Sequence, residues 1–196
     1  MSGTFQVVDM LLGLRGVSAE GKDNEGRTAL SWAAGNGGQW IARLLMKSDS
    51  TTSRIVDSNG RTPLLWVAQS GKEDIIKFFL GKDVDIDWVD NLGQTRLIYA
   101  AGNGHEGVVG ILLQRGRARK DTADTDDGTP LSWAAGGGLE GVVMLLVEWK
   151  EVNPNATDIR YGRTLRSWAA GNGYEQLIKL ALAHREIIPE LVDKGG

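Results

Sequence analysis

Cysteine is absent from the 196-residue sequence. That excludes disulfides, thiolate nucleophiles and cysteine-ligated metals, and it fits a reducing compartment. Histidine is nearly as scarce: His105 and His184 stand alone, without the clustered ligands that zinc needs, and no Ser-His-Asp triad can be assembled around them. No segment reaches the roughly 18 consecutive apolar residues of a membrane span. The opening "MSGTFQVVDMLLGLRG" lacks the basic start and long apolar centre of a signal peptide. Charge of one sign is missing as well; a net −3 gives no field that would favour nucleic acid or an anionic membrane. The expectation is a soluble intracellular chain of the cytoplasm, with the nucleus as an alternative, and with no metal, no cofactor, no nucleic-acid partner and no membrane partner.

Proline is rare at 4 residues, whereas glycine numbers 27 and tryptophan 7. A disordered glycine-rich chain is poor in apolar residues, and this one is 41% hydrophobic, so its glycines must be organised. They are periodic. Aligned on one aromatic position, the chain repeats at Trp32, Trp66, Tyr99, Trp133 and Trp168, with spacings of 34, 33, 34 and 35 residues. Four residues earlier stand Thr28, Thr62, Thr95, Thr129 and Thr164. Each threonine follows a turn carrying Gly26, Gly60, Gly93, Gly128 or Gly162. Five residues after each aromatic come Gly37, Gly71, Gly104, Gly138 and Gly173.

Each unit reads as turn, helix, turn, helix. Threonine supplies an N-cap oxygen, and Pro63 and Pro130 take the first helical position, where a missing N–H costs nothing. Glycine ends that helix because it tolerates a left-handed C-cap. A second helix follows, with apolar residues at helical spacing such as Val108, Val109, Leu112 and Leu113. So short a pair cannot bury its own apolar face, whereas stacked neighbours can, and the product is a solenoid.

The segments "DNEGRTALSWAAGNGG" (23–38), "DNLGQTRLIYAAGNGH" (90–105) and "TDDGTPLSWAAGGGLEGVVMLLVE" (125–148) resemble ankyrin repeats. The resemblance covers about residues 23–186. It implies an all-α helical solenoid of about five repeats, with β-hairpin or turn fingers and helical caps at both ends. The repeats are expected at 23–56, 57–89, 90–124, 125–157 and 158–186, after a capping helix over 1–22 and before a cap and frayed tail over 187–196. "LGKDVDIDWVD" (80–90) resembles the family's linking hairpin, while 47–56 has lost that pattern. The family's histidine is replaced by Ser31, Leu65, Ile98, Ser132 and Ser167, which implies weaker polar ties between repeats. Arg166 occupies a normally buried position, so a distorted last repeat, or an arginine reaching solvent, is expected.

The resemblance implies a partner protein bound by the concave groove and fingers. A helical wheel places Leu30, Ala33 and Ala34 inward and Trp32 on the opposite side. The groove candidates are therefore Trp32, Asn36, Trp66, Tyr99, Asn103, Trp133, Trp168 and Asn172. The finger candidates are Arg27, Asn59, Arg61, Gln94, Asp127, Tyr161 and Arg163. Two readings of the aromatic column stay open: filler in the seams between repeats, or the floor of a trough for an apolar or cationic small molecule. The trough reading extends to catalysis, for instance a cyclase or isomerase that stabilises a cationic transition state. A self-assembling array is a third reading. The G-x-G-x-x-G matches at 102–107 and 136–141 follow helices rather than strands and recur with the repeat, so they do not mark a dinucleotide site. Asp83, Asp85 and Asp87 lack the glycine and glutamate of a calcium loop, and "RGRARK" (115–120) reads as a solvated basic run.

Overall fold

The computed structural model describes residues 19–48, 53–82, 84–85, 87–115, 120–157, 162–183 and 187. The expected N-terminal capping helix, Asp83, Tyr161, His184, most of the basic run and nearly all of the C-terminal tail lie outside them. Among the described residues there are ten α-helices and no strand, with one isolated backbone bridge between Lys22 and Thr28.

The helices come in five pairs: α1 (Ala29–Gly35) with α2 (Gln39–Ser48), α3 (Pro63–Ser70) with α4 (Glu73–Leu80), α5 (Arg96–Gly102) with α6 (Glu106–Gln114), α7 (Pro130–Gly136) with α8 (Glu140–Val147), and α9 (Leu165–Asn172) with α10 (Glu175–Ala183). The threonine rule explains every first helix. The side chains of Thr28, Thr62, Thr95, Thr129 and Thr164 each accept the N–H three residues on, and Pro63 and Pro130 occupy the first turn. In the last pair the cap is reciprocal, because Ser167 Oγ also receives the Thr164 N–H at 2.7 Å. Replacing buried Thr62 by alanine is expected to cost about 1 kcal/mol in urea unfolding, and serine to restore most of it.

The chain forms two compact units, residues 1–91 and 92–196. In the first, α1 packs on α3 and α2 on α4, around Leu30, Ala34, Leu45, Val67, Ile76 and Phe79. In the second, α5, α7 and α9 stack in order, as do α6, α8 and α10, around Leu97, Ala101, Leu112, Leu131, Val143 and Leu146. The alanine pairs let the first helices approach closely, and both units are short stretches of helical solenoid.

Among the described residues the fingers take the turn form of the expected hairpins or turns. Their N–H groups are satisfied by aspartate side chains instead of a facing strand. Neighbouring turns are joined by single backbone bonds: Ser58 N–H donates to Glu25 O at 2.9 Å, Asn91 N–H to Asn59 O at 3.0 Å, and Thr125 N–H to Leu92 O at 2.9 Å. The serines at the family's histidine position serve their own caps, as when Ser132 Oγ donates to Thr129 O at 3.0 Å. Arg166 corrects its expectation. Helix α9 is regular, and the half-buried guanidinium donates from Nη2 to the Ala181 carbonyl at 3.0 Å, placing a cation at the negative C-terminal end of α10.

Candidate functional site

The candidate surface is built around an aspartate that stands nine residues before the tryptophan. Asp23 Oδ1 accepts the N–H groups of Glu25 and Arg27, both at 2.9 Å, and Oδ2 accepts the Trp32 indole N–H at 2.9 Å. Asp57 repeats this with Asn59, Arg61 and Trp66, the indole bond being 3.0 Å. Asp124 does the same with Asp126, Gly128 and Trp133, the indole at 2.8 Å. One carboxylate therefore holds the turn with one oxygen and aims the indole with the other. The third repeat has Tyr99, which carries no indole N–H; Asp90 there faces Arg61 Nε at 3.8 Å.

Electrostatics follow from this geometry. Desolvation in the turn works to raise the Asp23 carboxyl pKa. The Arg27 backbone, the Trp32 indole, the Arg27 side chain and the Glu25 backbone together outweigh it and hold the group at about 2. A depressed folded-state pKa adds stability above the unfolded value of about 4, and that stability is lost as pH falls toward 2. The expected result is a melting temperature that drops between about pH 4 and pH 2, with Asp23→Asn removing part of the drop.

The indoles occupy both places the sequence left open. Gly35 lies against Trp66, Gly102 against Trp133 and Gly136 against Trp168; a Cβ at these glycines would sit 3.5–3.7 Å from the next ring. Each of these aromatics thus rests on the preceding first helix, in the seam. Yet Trp32 is 46% and Trp133 44% exposed, and Trp66 and Trp168 are half-buried. Tyr99, at 6%, is core. Three rings carry an arginine from their own turn: Arg27 at 3.9 Å from the Trp32 centroid, Arg61 at 5.1 Å from Trp66 and Arg163 at 4.7 Å from Trp168. These arginines, expected as finger contacts, thus neighbour the aromatics expected as groove residues.

Asn36, Asn103 and Asn172 each donate from Nδ2 to the carbonyl of the aromatic four residues back, at 3.0, 2.8 and 3.0 Å. They finish helices, with Asn36, Asn103 and Asn172 exposed beside the rings. Asn59 and Asp127 are exposed turn residues, and Gln94 is half-buried with Nε2 3.5 Å from Asp124 Oδ2. A cleft of about 290 Å³ opens between Trp32 and Trp66, lined also by Arg27, Ser31, Gln69 and Ser70. No carboxylate lines it. No cluster of metal-ligating side chains occurs among the described residues.

A family model for ankyrin repeats in three copies matches residues 50–124, and a single ankyrin repeat matches residues 126–159. Together they cover more than half of the chain. The chain belongs to the ankyrin-repeat family. A comparison with curated proteins gives no match. Ankyrin repeats are generally protein-interaction modules. No helix among the described residues of this ankyrin protein is long and apolar enough to cross a membrane.

Proposed function

We propose that this chain binds a partner protein through the first helices and finger turns of its ankyrin repeats. The observation that carries the reading is the aspartate-to-indole bond: it fixes partly exposed tryptophans, which are strong interface anchors, in one orientation before any partner arrives. Exposed Asn24, Glu25, Asn59, Asp126 and Asp127 on the turns supply a polar rim. A small-molecule or catalytic trough is less well supported. Arg27, which lines the cleft between Trp32 and Trp66, already lies over the Trp32 ring, and Arg61 lies over the Trp66 ring, where a cationic ligand would stack.

Capture with the immobilised chain tests the proposal when two folded variants are compared. Glu25→Lys with Asp126→Lys alters the turns, and Met144→Ser with Lys179→Glu alters the second helices. Loss of the captured protein with the turn variant alone is expected. Loss with the second-helix variant alone would contradict the assignment of the face.

A further inference from the structure

The first repeat displays a guanidinium held by three groups of its own chain. Arg27 lies 3.9 Å over the Trp32 ring, its Nε contacts Asp23 Oδ2 at 3.0 Å, and its Nη1 contacts Glu25 Oε2 at 3.0 Å. The fourth repeat has counterparts of all three. Trp133 replaces Trp32, Asp124 replaces Asp23 and Asp126 replaces Glu25, at the same sequence offsets. The turn is built alike, with Asp124 Oδ1 accepting from Asp126 N–H at 3.0 Å and Gly128 N–H at 2.7 Å, and Oδ2 accepting the indole at 2.8 Å. What is missing is the arginine, whose position is Gly128.

That glycine is required sterically. A Cβ at 128 would lie 2.5 Å from Trp133 Nε1 and 2.9 Å from Asp124 Oδ1, so the repeat cannot supply the cation from this position without moving the indole. No cation pairs with Asp124 or Asp126 among the described residues; Gln94 offers Asp124 Oδ2 only a neutral amide at 3.5 Å. Trp133 nevertheless stays 44% exposed, with exposed Asp126 and Asp127 on its turn. Asp124 itself is buried, with both oxygens engaged by the turn and the indole, so it orients the ring rather than meeting a ligand. From this we infer that exposed Trp133 and Asp126, set by Asp124, form a seat for an arginine side chain of a partner protein. The inference rests on the partner-binding reading above and adds the chemistry of the contact: a ring face and one exposed carboxylate, the counterparts of Trp32 and Glu25 around Arg27 in the first repeat.

A small probe separates this claim from partner capture. The full chain, with indole resonances assigned through single Trp→Phe variants, is titrated with N-acetyl-arginine amide and with its neutral isostere N-acetyl-citrulline amide. Three results are expected. The Trp133 indole N–H shifts with the arginine compound at millimolar concentration and at least about threefold less with citrulline, and Asp126→Asn, at an exposed position, weakens the arginine response about threefold. The Trp32 indole stays silent until Arg27→Ala vacates its own seat. An equal response to both compounds, no response at Trp133, or a response untouched by Asp126→Asn overturns the inference. Those results would leave the capture experiment, and the partner-binding reading it tests, as they were.

Discussion

Replacing Asp57 by alanine is expected to lower the unfolding free energy by about 2–4 kcal/mol, read by urea denaturation of the whole chain. Asp57 is buried, and its carboxylate receives the Asn59 and Arg61 N–H groups at 2.9 Å and the Trp66 indole at 3.0 Å. Bonds to a charged acceptor contribute more than neutral ones, and truncation leaves three donors to find water or remain unmet. The sum is smaller than three independent bonds because the turn relaxes and water reaches Asn59, which is exposed. Asp57→Asn keeps one amide oxygen and is expected to fall between alanine and the native chain. Trp66→Phe isolates the indole bond: a double-mutant cycle with Asp57→Ala should show a coupling of about 1–2 kcal/mol.

Gly26→Ala is expected to cost about 2–3 kcal/mol, and Gly35→Ala to stay within about 1 kcal/mol of the native chain in the same assay. Gly26 has φ +76°, where a side chain costs roughly 1–2 kcal/mol. Its new Cβ would also lie 2.9 Å from Ser58 N and 3.2 Å from Asp57 Cα, backbone atoms of the next turn. Those atoms are held by the Ser58 N–H bond to Glu25 O at 2.9 Å, so strain spreads into the contact between turns. Gly35 is helical, and a Cβ there meets the Trp66 ring at an ordinary 3.5 Å. Gain in helix propensity then offsets whatever the indole gives up. The contrast separates glycines needed for conformation from glycines that make room for the next ring.

The periodic residues announced most of the fold. Threonine caps and the first-turn prolines act within one helix, and the inward Leu30–Ala33–Ala34 face follows the helical period, so local pattern was enough to place them. The aspartate hub escaped notice, although Asp23, Asp57, Asp90 and Asp124 all precede the aromatic position by nine residues. A turn aspartate reads as a backbone cap, and nothing in a one-dimensional pattern says that its second oxygen turns toward an indole. The arginines were read as solvent-facing finger residues for a related reason: stacking of Arg27 on Trp32 depends on how the turn folds back over the helix. Of the expected hairpins or turns, the same carboxylates explain why turns were found: they take the N–H groups that a facing strand would. Arg166 was judged by the cost of burying a charge, and the carbonyl of Ala181 that receives it lies on another helix, beyond any wheel.

The central claim is that an aspartate fixes the partly exposed indoles of Trp32, Trp66 and Trp133, each from within its own repeat. The most direct measurement is hydrogen exchange of the indole N–H protons, followed by nuclear magnetic resonance on the intact chain. Trp32, Trp66 and Trp133 are expected to exchange more slowly than Trp40, which is 68% exposed on the second helix of the first pair. Asp57→Ala should speed exchange at Trp66 while leaving Trp133 unchanged. Exchange of all four indoles at one common fast rate would contradict the account.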